Sequence, residues 1–98
     1  MATYAATRIG DADIAHCSGM VRAQGSGNVF VNGKAWSCES HNNTVHLLPG
    51  VPCPAHAAPI TIGSSTVFVN NKGAGSVGDA LTGCTQTSAG SPNVFIGK

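Results

Sequence analysis

The sequence predicts a small all-β domain of short hairpins with pseudo-three-fold internal repeats. Three observations predict it. First, one phrase occurs three times: GSGNVFVNGK from Gly25, GSSTVFVNNK from Gly63 and GSPNVFIGK from Gly90. A recurring block of this kind marks a repeat architecture. Second, each block is a β-branched and aromatic run bounded by Gly, Ser and Asn, which is the composition of a short strand between turns. Third, charged residues make up 9% of the chain, against ~25% in an ordinary domain. A surface built from Ser, Thr, Asn and Gly suits a rigid β object better than a solvated helical one.

The strands follow in order. Val29-Phe30-Val31, Val67-Phe68-Val69 and Val94-Phe95-Ile96 are the best supported. Asn32-Gly33 is a strong hairpin signal, because a type I′ turn needs positive φ at both central residues. Asn70-Asn71 is its weaker counterpart. Further short strands are expected at Ala5–Ile9, Gly19–Ala23, His46–Leu48 and Ile60–Ile62. The third block ends the sequence, so its strand is expected to lack a hairpin partner after it. No helix is expected. The longest stretch free of Gly and Pro, Lys34 to Leu48, is rich in Ser, Asn, Thr and His, all poor helix formers.

Ninety-eight residues make one domain, 1–98. Its core must be thin, since much of the 42% hydrophobic content is Ala and Val. Small domains with weak cores usually carry a staple. A net charge of +1 without a basic cluster leaves nucleic acid no electrostatic footprint. No stretch approaches the ~20 apolar residues of a membrane span. The N-terminus, MATYAATRIGD, has neither the basic start nor the apolar core of a secretory signal. Folding in a cytosol is expected, which lowers the odds of disulfides. Cys17, Cys38 and Cys53 read as small buried hydrophobes, with a Cys38–Cys53 bridge left open.

A candidate staple lies in the repeat. Gly10-Asp11 precedes His16 by the same spacing with which Gly78-Asp79 precedes Cys84. The offset of 38 residues between Phe30 and Phe68 places Asp79 opposite His41 and Cys84 opposite His46. The middle unit thus keeps a ligand, His46, but has Ser40-His41 in place of Gly-Asp. A proline-rich loop, LLPGVPCPA, then leads to His56. His16, His46, His56 and Cys84 form a three-His, one-Cys set whose donors match Zn²⁺, favoured here over Fe²⁺. Four protein ligands close the coordination sphere, as in a structural site. His41 is the other candidate for the fourth place, and the repeat register favours His46. His41 is expected to hydrogen-bond locally or face solvent. Asp11 and Asp79 read as turn-closing carboxylates that accept backbone N–H bonds. No nucleophile motif, catalytic triad or phosphate loop is present, so no enzyme is expected.

These residues resemble the PAAR-repeat family, the tip proteins of contractile phage tail spikes and type VI secretion spikes. The resemblance spans nearly the whole chain and rests on three features. They are the Gly-Asp placed ahead of a His or Cys, the G-S-x-x-V-F-V-N-G blocks and the closing GSPNVFIG. The family's Pro-Ala-Ala-Arg segment after each hairpin is absent: Ala35-Trp36-Ser37 follows Lys34, and Gly73-Ala74-Gly75 follows Lys72. The resemblance implies a cone with zinc near its point, held by His16, His46, His56 and Cys84. It implies a base that caps the C-terminal end of a trimeric β-helical spike, one chain per trimer. The role so implied is a non-enzymatic, membrane-piercing tip in mechanical contact with a target membrane, on a phage baseplate or a type VI apparatus. The small size looks most like the stand-alone phage tip, made in the host cytoplasm. The alternative is a zinc-stabilised adaptor that carries effectors on a secretion spike. For the base, strand alternation puts Phe30, Phe68 and Phe95 on the face opposite their flanking Val and Ile residues. One set fills the core and the other lies toward the partner as an apolar patch.

Overall fold

The computed structural model describes residues 3–15, 19–47 and 55–97, with the backbone alone at 46, 47 and 55. Among the described residues, eight two-residue strands pair into four antiparallel two-stranded sheets. They are β1 (Tyr4–Ala5), β2 (Phe30–Val31), β3 (Lys34–Ala35), β4 (His46–Leu47), β5 (Ala55–His56), β6 (Phe68–Val69), β7 (Lys72–Gly73) and β8 (Phe95–Ile96). No helix occurs among the described residues.

The hairpin turns form as the sequence predicts. Asn32 and Gly33 have φ of 54° and 78° between β2 and β3, and Asn70 and Asn71 have 51° and 68° between β6 and β7. The third block is paired by a strand that precedes it in the chain, not by one after it. β8 pairs with β1, Tyr4 opposite Ile96 and Ala5 opposite Phe95. That register matches Lys34 opposite Val31 and Ala35 opposite Phe30, and also Lys72 opposite Val69 and Gly73 opposite Phe68. The first strand of the chain therefore completes the last repeat. Spacing along the sequence could not reveal this, because the two halves of that hairpin lie at opposite ends of the chain.

This closure sets three cyclic layers. In the first, a Ser in each block accepts two backbone N–H groups ahead of the strand: Ser26 from Asn28 and Val29, Ser64 from Thr66 and Val67, Ser91 from Asn93 and Val94. Each hairpin turn also touches the next block. Asn32 donates to Asn93 Oδ1, Asn70 donates to Ser26 and Asn28, and the Gly97 carbonyl accepts from Ser64. In the second layer Arg8 bridges Trp36, Cys38 bridges Ala74 and Ser76 bridges Ala6, which joins each repeat to the next and the last to the first. In the third layer Ala12 meets Val21, Asn42 meets Pro59 and Ala80 meets Gln86 within each repeat. Asp13 meets Thr87, Asn43 meets Arg22 and Leu81 meets Ile60 between repeats.

Two apolar clusters lie along this stack. Ala6, Val31, Trp36, Cys38, Val69, Ala74 and Ile96 form the larger one, with Val29, Val67 and Val94 packed against it. Val31, Val69 and Ile96 thus fill the core, while Phe30, Phe68 and Phe95 are 54–61% exposed. Ala58, Ile60 and Leu81 form the smaller cluster, which Cys84 packs against. Between the clusters sits a buried charge. Arg22 and Asp13 are fully buried and paired at 2.9 Å. Arg22 also donates to Ser37 Oγ and the His41 carbonyl, and Asn43 donates to Asp13 while accepting the Ala58 N–H. Burial lowers the Arg22 pKa from its ordinary value, and Asp13 opposes that shift. Such a pair is costly to break, about 3–5 kcal/mol when one partner alone is removed.

Cys38 is a free thiol at zero exposure, its Sγ 3.4 Å from the Trp36 carbonyl. Cys17 and Cys53 lie outside the described residues. No described helix is long and apolar enough to cross a membrane.

Close backbone approach between repeats gives a test. A Cβ on Gly75 would collide with the Ser37 carbonyl oxygen and approach Ile60 Cδ1 to 2.9 Å, whereas one on Gly27 would meet nothing within 4 Å. Backbone cannot yield as a side chain does. Gly75→Ala should cost about 1–3 kcal/mol in denaturant unfolding, and Gly27→Ala about 0.5 kcal/mol or less. Equal costs would show that the repeats are not packed this closely.

Candidate metal centre

Each repeat leaves the third layer as an excursion and returns to it. The layer is closed, so all three excursions start from the same rim. The first leaves near Asp13 and returns near Met20, whose carbonyl accepts the Asp13 N–H at 3.2 Å. The second leaves at Asn43, whose N–H donates to Ala58 O, and it carries β4 and β5. The third is a tight turn in which Leu81 N–H donates to Thr85 O and Cys84 N–H to Leu81 O.

The second excursion places His46 directly opposite His56 in the β4–β5 register. The third brings Cys84 Sγ to 3.7 Å from His56 Nε2. Two ligands of one tetrahedral zinc, with bonds of about 2.3 Å to sulfur and 2.0–2.1 Å to nitrogen, are about 3.5 Å apart. The Cys84–His56 pair therefore has the spacing of one edge of such a site, and its donors suit Zn²⁺. The His46 side chain and all of His16 lie outside what the structure describes. The described stems of the His16 excursion are tied to the other two arms: Ile14 N–H donates to Gln86 O, and Thr44 N–H to Val21 O. Among the described residues no group of three metal-ligating side chains is assembled.

Cys84 is half-buried. Burial, with the Asp13 carboxylate adding to it, pushes its thiol pKa up, against the Thr85 N–H and Arg22. The ordinary thiol value is ~8.5, so without metal the group holds its proton at neutral pH. A metal must displace that proton, which makes its affinity pH-dependent.

His41 stands elsewhere. Its Nδ1 accepts the Cys38 N–H at 2.8 Å. Asp11 Oδ2 accepts the Arg8 N–H and Asp79 Oδ2 the Ser76 N–H at the same 2.8 Å. All three side chains close the same turn, as read from the sequence for the two Asp. The residue before each has positive φ: Gly10 at 90°, Gly78 at 92° and Ser40 at 69°. Ser40 adopts a conformation that costs a non-glycine residue about 1 kcal/mol or more. Sequence reasoning missed the buried Arg22–Asp13 pair and also Arg8, which pairs with Asp11 at 2.8 Å. Its place in the repeat shows only when β1 is aligned with β3 and β7, as the hairpins require.

No family model matches this chain, and no curated protein sequence matches it.

Two outcomes are expected. Elemental analysis of purified protein should find one zinc per chain. Cys84→Ser, His56→Ala and His46→Ala should each lose it and lower the melting temperature, while His41→Ala should keep it. A metal-free, fully folded protein would refute the site.

The other concerns acid. Burial first, then Lys72 and Arg22, lower the His41 pKa. An unfolded His titrates near ~6.5, so the unfolded chain takes up the proton first. The contribution of His41 to stability is complete above about pH 6.5 and is lost as pH falls from there toward the lower folded pKa. Thermal unfolding across this range should show a smaller acid loss in His41→Asn than in the parent. An unchanged slope would mean that His41 does not close its turn as a neutral acceptor.

Proposed function

We propose that this chain is a structural, non-enzymatic tip that caps a trimeric β-helical spike, with a structural Zn²⁺ bound by His16, His46, His56 and Cys84. The observation that carries the reading is the cyclic bonding of three repeats within one chain. It presents Phe30, Phe68 and Phe95 at equivalent strand positions, each more than half exposed. A single non-repetitive domain cannot match a three-fold partner at three equivalent points; a chain with three matching blocks can. Large exposed aromatics are unusual on a lone small domain and suit a buried contact. The two-stranded hairpins also offer edges for strand addition.

The zinc has a mechanical reason. The smaller apolar cluster has three buried members and supplies little cohesion to the arms beyond it. A structural zinc contributes on the order of 10 kcal/mol, comparable to the whole stability of a small domain. A point that pierces a membrane needs that rigidity. Phage tail and type VI spike place the same demands on the tip.

The partner-facing side chains are the Phe set. Phe30, Phe68 and Phe95 changed together to Ser should abolish capping and preserve fold and metal. Val69→Asp should instead unfold the domain, because Val69 is 5% exposed within the larger cluster. Native mass measurement of the chain mixed with a trimeric β-helical spike protein should give one chain per trimer. Three chains per trimer, or no complex, would remove the tip reading.

A further inference from the structure

The three repeats close one turn with the same geometry but different chemistry. Asp11, His41 and Asp79 each accept the backbone N–H of the residue three positions back, from Arg8, Cys38 and Ser76, at 2.8 Å. Two of these acceptors are carboxylates and the third is an imidazole nitrogen. A carboxylate accepts such a bond in its charged form, which makes the bond stronger. Imidazole accepts it only while neutral, because protonation turns Nδ1 into a donor that faces the Cys38 donor. The middle turn differs in a second way. Ser40 has φ 69° where Gly10 and Gly78 stand in the other two. That conformation strains a residue with a side chain and persists only while surrounding bonds hold it.

We propose that the turn over residues 38–41 is an acid-released latch of the middle repeat. When His41 takes up a proton this turn opens locally, while the turns closed by Asp11 and Asp79 stay shut. The charged groups that act on the ring are Lys72, on β7, and Arg22, and both are positive. The carboxylates of the surrounding elements have other partners: Asp13 accepts from Arg22 and Asn43, Glu39 from the Gly63 N–H and Asp79 from the Ser76 N–H. The Cys38 thiol is buried, and burial raises its pKa, so it stays neutral. A proton on His41 therefore costs a hydrogen bond and gains no counter-ion among these groups. The opening reaches two contacts between repeats. The His41 carbonyl accepts from the Ile60 N–H and from Arg22 Nη2, so the buried guanidinium loses an acceptor. Cys38 bridges Ala74 and the Glu39 N–H donates to Gly73 O, so the seam between the middle and last repeats loosens. No covalent bond changes, so the latch closes again when the proton leaves.

Amide hydrogen exchange of the whole chain, read by NMR across a pH series, tests this. The readout is protection of the Cys38 amide relative to the equivalent Arg8 and Ser76 amides in the same sample, which separates local opening from global unfolding. Near neutral pH the Cys38 amide should already be the least protected of the three. Below about pH 6.5 its relative protection should fall up to about tenfold per pH unit, the slope of one proton taken up on opening, and level off at the folded pKa of His41. His41→Asn keeps an acceptor that does not titrate and should hold the ratio constant. Ser40→Gly with His41→Asp gives the middle turn the residues of the other two and should bring Cys38 to their protection at every pH. If that double variant does not fold, His41→Asn alone decides. A ratio in the parent that stays constant with pH, an equal acid loss at all three amides, or an acid loss that persists in His41→Asn would overturn the proposal.

Discussion

The pairing of the first strand with the last, Tyr4–Ala5 against Phe95–Ile96, is the constraint on which the rest of the structure depends. Without it the third block is a strand with one open side and the chain is an open row of repeats. With it, every repeat has a neighbour on both sides, and the bridges Arg8–Trp36, Cys38–Ala74 and Ser76–Ala6 close into a cycle. Two-residue strands are far too short to be stable alone. Their stability comes from this mutual closure, in which each repeat supplies hydrogen-bond partners that the next one needs.

Closure also explains the composition. A narrow stack with an extent of 40 × 28 × 24 Å has little interior, so small residues line it. Gly63, Gly75 and Gly90 sit where a Cβ would strike a neighbouring backbone oxygen. Serine and threonine replace aliphatic side chains as interior residues, with Thr7, Ser37, Ser76 and Thr87 at zero exposure. The polar interior is tolerable because its groups are bonded: Thr87 Oγ1 donates to Ser76 O, Thr7 Oγ1 to Ala89 O, and Ser37 Oγ accepts from Arg22. Cohesion is shared among hydrogen bonds, two modest apolar clusters and a buried ion pair, and is not concentrated in a single hydrophobic core.

The buried pair of Arg22 and Asp13 links the two ends of the molecule. Through Ser37 it touches the layer beside the larger cluster, and through Asn43 and the Ala58 N–H it reaches the smaller one. Its charges also act on Cys84.

By itself, the sequence determined the repeat, the three strand blocks, the Asn32-Gly33 and Asn70-Asn71 turns and the turn-closing role of Asp11 and Asp79. All of these are local, being written in residues within a few positions of one another, where φ preference and side-chain reach decide the outcome. The offset between blocks also placed His41 opposite Asp79, and the structure gives it the same bond to the backbone. Of the ligand set read from spacing, His56 Nε2 lies 3.7 Å from Cys84 Sγ, while His16 and the His46 side chain lie outside the described residues. Only the tertiary structure decided the rest. Alternation separates Phe from Val along a strand but does not say which face is inside; Val31, Val69 and Ile96 face inward because the three hairpins meet on that side. The pairing of β1 with β8 and the place of Arg8 in the repeat depend on contacts between residues far apart in the chain. No local preference encodes such contacts, so they became visible only when the repeats closed on one another.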